Sequence, residues 1–200
     1  RHDGGDNLPE HEVLAYLKAQ AKGFNGDVVG ANLSYDLDYL WENGITFGPD
    51  ALMRDVQIAA PLIYELHLQY SLKAIGERYG IKAKDEDSLR AAADAYGVDP
   101  KAGLWRLPAR YVGRYAEQDT QSPLAILRAQ EKDFEKSNLW AIWNLESKVL
   151  PVLVKMRRRG VRIDTAKLAH IVEWSTRQEA EALERVRQET GHSIALGDVY

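Results

Sequence analysis

The sequence predicts an α/β domain followed by long helices, and three observations carry that prediction. Short β-branched apolar runs alternate with stretches of helical periodicity, which points to a sheet covered by helices. Serine, proline and glycine punctuate those stretches where helices start and stop. From residue 138 onward the alternation gives way to two long helical patterns broken at Gly160. The expected division is an α/β domain over 1–135 and the first helices of a second domain over 136–200.

Each element has its own signal. "GDVVGAN", 26–32, is a β-branched apolar run bounded by glycine, as a buried strand requires. Leu33, Leu37, Leu40 and Trp41 then recur at helical spacing until Gly44 ends the helix. "ALMRDVQIAAPLI" reads as a second short strand and a helix starting near Asp55. "SLKAIGERYG", 71–80, has a serine start and a glycine stop. "DSLRAAADAYG" is a short helix, and "LPARYVGRYAEQDTQ" a longer one entered through Pro108. Pro123 cannot donate to the Asp119 carbonyl, so a kink or restart is expected there, with Ser122 as cap. Over 138–159 the apolar side is expected to hold Leu139, Ile142, Leu145, Val149, Leu153 and Met156. A last helix over roughly 165–190 carries Leu168, Ile171, Val172, Leu183 and Val186.

Composition sets bounds. With 200 residues, 45% apolar and 28% charged, the chain can bury a real core. A net charge of -4 argues against coating nucleic acid by bulk electrostatics, while leaving room for a local basic stripe. The absence of cysteine excludes disulfides and thiolate metal sites. No apolar run approaches the roughly 20 residues of a membrane helix, and no signal peptide is visible. The first residue is Arg1, and the chain reads as a segment of something longer.

Asp36 stands at the joint between the first strand and its helix. Taken alone it is a carboxylate stabilised by a helix N-terminus. Asp38 points away from it and reads as solvated surface. Tyr115 and Asp119 lie four residues apart, on one helical face. A phenol beside a carboxylate serves as a surface hydrogen bond or as a water-orienting group next to a metal ligand. Glu117 falls on another face.

Together these features are more specific. "NLSYD" fits Asn, any two residues, Phe or Tyr, Asp; "YAEQD" fits Tyr, any three, Asp, in that order along the chain. The pair resembles the second and third motifs of the DEDD exonucleases, in the subgroup with tyrosine in the third. "SLKAIGERYGI" is similar to the helix between those motifs, and "LESKVLPVLVKMRRRGVRID" to the opening of the polymerase domain in family A DNA polymerases. Ribonuclease D relatives share the nuclease motifs but are not expected to continue in that way. "RHDGGDNLP" and "GLWRLPARYVGRYAEQD" look most like phage-encoded members.

The resemblance implies a ribonuclease-H-like DEDD exonuclease fold, truncated at its N-terminus with the initial strands expected upstream of Arg1, that ends in long polymerase helices. It also implies removal of mispaired nucleotides from the single-stranded 3′ end of a DNA primer. Two Mg2+ or Mn2+ ions about 4 Å apart would clamp the attacking and leaving oxygens. It gives Asp119 the role of ligand to one ion, Asp36 a role at the other, and Tyr115 the positioning of the attacking water. Asn32 and Tyr35 would line the cleft around the DNA end. The remaining polymerase chain is the implied partner, no membrane is, and the implied location is the cytoplasm of a bacterial or phage-infected cell.

The first motif of the family, Asp-x-Glu on a strand, is not found in "RHDGGDNLPEHE". Asp3, Asp6, Glu10 and Glu12 read as a turn and the first turn of a helix. The motif is expected upstream of Arg1, and the isolated segment is expected to bind metal weakly and hydrolyse little. Ala31 and Ser34 also depart from the larger polar or basic residues of many relatives.

Asp55 reads as a cap, and the five histidines show no ligand spacing. "KMRRRGVR", 155–162, suits either DNA phosphates or a helix C-terminus. Trp140 and Trp143 read as core or interface. Two alternatives stay open: a non-catalytic scaffold or DNA-binding module of a polymerase, and a free-standing ribonuclease of the same superfamily.

Overall fold

The computed structural model describes residues 3–81 and 87–194. They fall into two compact units, residues 1–158 and 159–200. In the first, α1 (Glu10–Ala21) precedes β1 (Asp27–Gly30), α2 (Leu33–Glu42), β2 (Leu52–Asp55) and α3 (Val56–Ile63). Then come α4 (Leu72–Arg78), α5 (Asp87–Ala95), a 3₁₀ turn at Leu104–Arg106, α6 (Ala109–Ser137) and α7 (Trp140–Arg159). The second unit holds α8 (Thr165–Thr190), capped by the Asp164 carboxylate on the Lys167 N–H and ended by Gly191 at φ 73°.

Among the described residues the sheet is small. β1 and β2 run parallel, with Val28 opposite Met53 and Gly30 opposite Asp55. A parallel pair needs a crossover, and α2 supplies it. The chain is therefore α/β but mostly helical, with its two short strands at the two places the sequence marks. α2 stops where Gly44 takes φ 68° and the Ile45 N–H returns to the Leu40 carbonyl at 2.8 Å.

Three apolar clusters fill the first unit. Val56, Ala59 and Ala60 of α3 meet Ile75, then Ile126, Leu127 and Phe134 of α6 and Trp143 of α7. Leu33 and Leu37 of α2 meet Met53, Leu150 and Val154. Leu89, Ala92 and Ala93 of α5 pack with Leu107. Phe134 and Trp143 stack at 4.3 Å with their rings 3° apart.

Two expectations are corrected. α6 runs unbroken from Ala109 to Ser137 through Pro123, and Ser122 donates its hydroxyl to the Gln118 carbonyl at 3.0 Å instead of capping a new helix. A proline inside a helix costs about 3 kcal/mol; here Pro123 is itself buried, and Ile126, Leu127 and Gln130 anchor the turns that follow. α7 also buries another face than expected. Trp143, Ser147, Leu150 and Val154 turn inward, while Ile142, Leu145, Leu153 and Met156 are exposed. The helix is apolar on more than one side, and the side with the stacking partner wins. Ser147 is small enough for the buried Arg54 guanidinium to reach its hydroxyl at 3.1 Å, and the same guanidinium lies 4.6 Å from the centre of the Trp143 ring.

Candidate functional site

The joint between β1 and α2 is built around Asn32. Its backbone is left-handed, φ 58° and ψ 43°, a conformation asparagine tolerates better than most residues. The turn lets the chain leave the strand and enter the helix within two residues, Ala31 and Asn32. Asparagine at this place would ordinarily cap the helix with its own side chain. Here its Oδ1 instead accepts the Ser34 hydroxyl at 3.1 Å, and no side-chain cap bond forms.

The cap comes from the neighbouring strand. Asp55 is 4% exposed, and its Oδ2 accepts the Leu33 N–H at 2.8 Å while its Oδ1 accepts the Gln57 N–H at 2.8 Å. One buried carboxylate therefore starts both α2 and α3. The sequence showed the cap on α3; the bond to Leu33 links residues 22 apart and leaves no local signature.

One turn into α2, Asp36 reaches the surface. Its pKa is raised, chiefly by partial desolvation and further by the charge of Asp55, against the lowering effect of a backbone hydrogen bond. Tyr35 is 56% exposed, and its hydroxyl donates to that of Tyr39 at 3.3 Å. The two rings lie 4.9 Å apart beside Asp36, where a cleft of about 470 Å3 is also lined by Leu14, Leu17, Leu40 and Ile45.

Tyr115 and Asp119 lie on α6. Tyr115 packs beside Leu89, Ala92 and Leu107, and lines a small cleft with Arg114 and Gln118. Asp119 is half-buried, with Oδ1 inside the protein. Both residues are thus drawn toward the body of the domain. Carboxylate oxygens suit hard divalent ions. Even so, among the described residues no group of three or more His, Asp or Glu side chains is arranged to hold a metal ion. Asp36 and Asp119 by themselves do not satisfy the six or more oxygen ligands such ions take.

Comparison with known proteins places the chain. It is 58% identical over all 200 residues to a DNA-directed DNA polymerase of Pseudomonas phage M6, and covers 30% of that protein. It is 32% identical over 168 residues to DNA polymerase DpoZ of Acinetobacter phage SH-Ab 15497, 82% of this chain and 26% of that protein. These residues are homologous to a segment of phage DNA polymerases. A further DpoZ polymerase, from Salmonella phage PMBT28, is 31% identical over 119 residues. The chain thus spans less than a third of the length of the curated relatives it matches. No family model matches it.

In a homologue of DNA polymerases a basic run invites assignment to DNA phosphates, and the geometry qualifies that. Arg157 donates to the Ser34 carbonyl at 2.8 Å and to Asp38 Oδ2 at 2.9 Å. Arg158 donates to Asp38 Oδ1 at 2.8 Å and to Glu42 at 2.5 Å. These two arginines are engaged by α2. Asp38, expected as solvated surface, is their shared partner, and its carboxyl is held below the usual range by the hydrogen bond from Arg158 and the charge of Arg157. Asp6, read in the sequence as part of a turn, pairs with Arg110 at 2.9 Å. No helix among the described residues is long and apolar enough to cross a membrane.

Proposed function

We propose that the chain is the 3′–5′ exonuclease portion of a family A phage DNA polymerase, joined near residue 136 to the first helices of the polymerase portion. The observation that carries the reading is the ordered pair of motifs, "NLSYD" and "YAEQD", within a chain homologous to phage DNA polymerases. The geometry around β1 and α2 supports it. Asp36 sits exposed just past the end of a strand, with Asn32 freed from capping and two tyrosine faces beside it. Ligands end-stack well on such faces, and unpaired bases are among them.

In this reading Asp36 and Asp119 are metal-ligating groups of a ribonuclease-H-like site for Mg2+ or Mn2+, and such ions would supply charge stabilisation in phosphodiester hydrolysis. Further ligands come from other parts of the full-length polymerase, since the described residues do not complete a metal site. Tyr115 orients the attacking water, and Asn32 and Tyr35 hold the primer's single-stranded 3′ end, with release of deoxynucleoside monophosphates. Primer DNA and the rest of the polymerase are the partners.

The test uses the full-length polymerase and a 3′-labelled primer with a terminal mismatch, with Mg2+ present. Wild type should release the labelled nucleotide, and Asp36→Ala and Asp119→Ala should each lose at least about 100-fold in rate, the size of effect typical for a group stabilising transition-state charge. Wild type that extends primers but releases nothing would leave a non-catalytic module. Preference for RNA over DNA would instead make it a ribonuclease.

A further inference from the structure

Three consecutive residues across the β2–α3 joint each tie down a different helix. Arg54 reaches Ser147 and the Trp143 ring on α7. Asp55 holds the first N–H of α2 at 2.8 Å. The Val56 carbonyl accepts Gln130 Nε2 of α6 at 3.0 Å, and Gln130 is fully buried. The two helices that carry the motif carboxylates therefore share one anchor. Asp36 lies one turn beyond the Asp55 bond, and Asp119 lies about three turns before the Gln130 bond on a continuous helix.

We infer that Asp55 and Gln130 are positioning residues that register α2 against α6, so that Asp36 and Asp119 act as a single site; the inference rests on the exonuclease reading. Two features separate this role from plain stabilisation. Asn32 is a residue favoured for capping α2 locally, yet the cap is delegated to a buried carboxylate from another strand, whose desolvation is costly. Gln130 gains one bond for its amide while its Oε1 is buried with no hydrogen-bond partner among the described residues. An apolar side chain of similar volume would suit stability as well or better. Both residues make sense as fixtures of geometry.

Asp55→Ser and Gln130→Met test this in the full-length polymerase. Serine can still accept the Gln57 N–H and cap α3, but cannot hold the Leu33 N–H as well. Methionine fills the Gln130 site without the bond to Val56. Each variant is read for kcat and KM of nucleotide release from single-stranded DNA, for primer extension, and for Tm. Ser71→Ala is the control, since it removes a cap from α4, the 3.2 Å bond to the Ala74 N–H, without touching α2 or α6. The expected result is a loss of about tenfold or more in exonuclease kcat with KM within about twofold, the signature of a misplaced reacting group. Primer extension should be unchanged, and Gln130→Met should keep or raise the Tm. Ser71→Ala should lower Tm alone. Wild-type kcat in both Asp55→Ser and Gln130→Met, with Asp36→Ala inactive, would overturn the positioning role and leave the exonuclease reading standing. Should Asp36→Ala and Asp119→Ala release nucleotide at the wild-type rate, both readings fall together. If Asp55→Ser does not fold, Gln130→Met decides alone.

Discussion

Helix α2 is held at two places, and the holds differ in kind. At its first residue a buried carboxylate takes one N–H, in an environment with little water to compete. Along its flank Arg157 and Arg158 meet Asp38 and Glu42 in view of solvent. The flank carries more bonds, yet the buried end should matter more. Exposed ion pairs gain little over hydrated charges and are screened by salt, whereas a buried donor stripped of its acceptor bears its full desolvation cost. Counting hydrogen bonds would rank the two holds the wrong way round.

The comparison can be broken outright by loosening what both holds depend on. Leu37 is fully buried against Met53, Leu150 and Val154. Leu37→Ala should cost about 2–5 kcal/mol in urea unfolding, the range for deleting a buried leucine. Next in size comes Asp55→Ala, which strands the Leu33 and Gln57 N–H groups. A loss of about 2–3 kcal/mol is expected, with faster amide exchange at Leu33. Asp38→Asn should be the mildest, visible at low salt and fading as ionic strength rises.

Acid sharpens the same contrast. The folded carboxyl of Asp38 is held below its unfolded value, so the clamp contributes fully above the ordinary aspartate range, near pH 4, and its contribution is lost as pH falls through the folded value. Wild type and Asp38→Asn should therefore differ in stability near neutral pH and converge at strongly acid pH. A gap that stayed constant across that window would mean the flank hold is not ionic.

What could be read in advance follows the same division between local and distant causes. The β1–α2 and β2–α3 units, the serine start of α4 and the entry of α6 at Pro108 are all signalled by residues a few positions apart, and they were legible. The inward face of α7 was not, because its choice between two apolar stripes depends on Phe134 of the preceding helix and on Arg54, far away in sequence. Pro123 looked like a helix break because the anchoring of the turns after it belongs to tertiary packing. At the site, Asn32, Tyr35 and Asp36 could be singled out by motif. That Asp55 caps their helix, and that Asp38 engages the basic run, required the fold.

The left-handed backbone at Asn32 bears on how any mutational scan of this region is to be interpreted. An Asn32→Ala variant changes two things at once: it deletes the amide's contacts, and it removes the short polar side chain that lets asparagine tolerate φ 58°, leaving alanine a backbone penalty of about 1–2 kcal/mol. Its phenotype therefore confounds recognition with conformation. Asn32→Gly deletes the same amide while accepting the same φ, and the difference between the two substitutions isolates the backbone term. Only the loss that glycine shares with alanine can be credited to what the asparagine side chain touches.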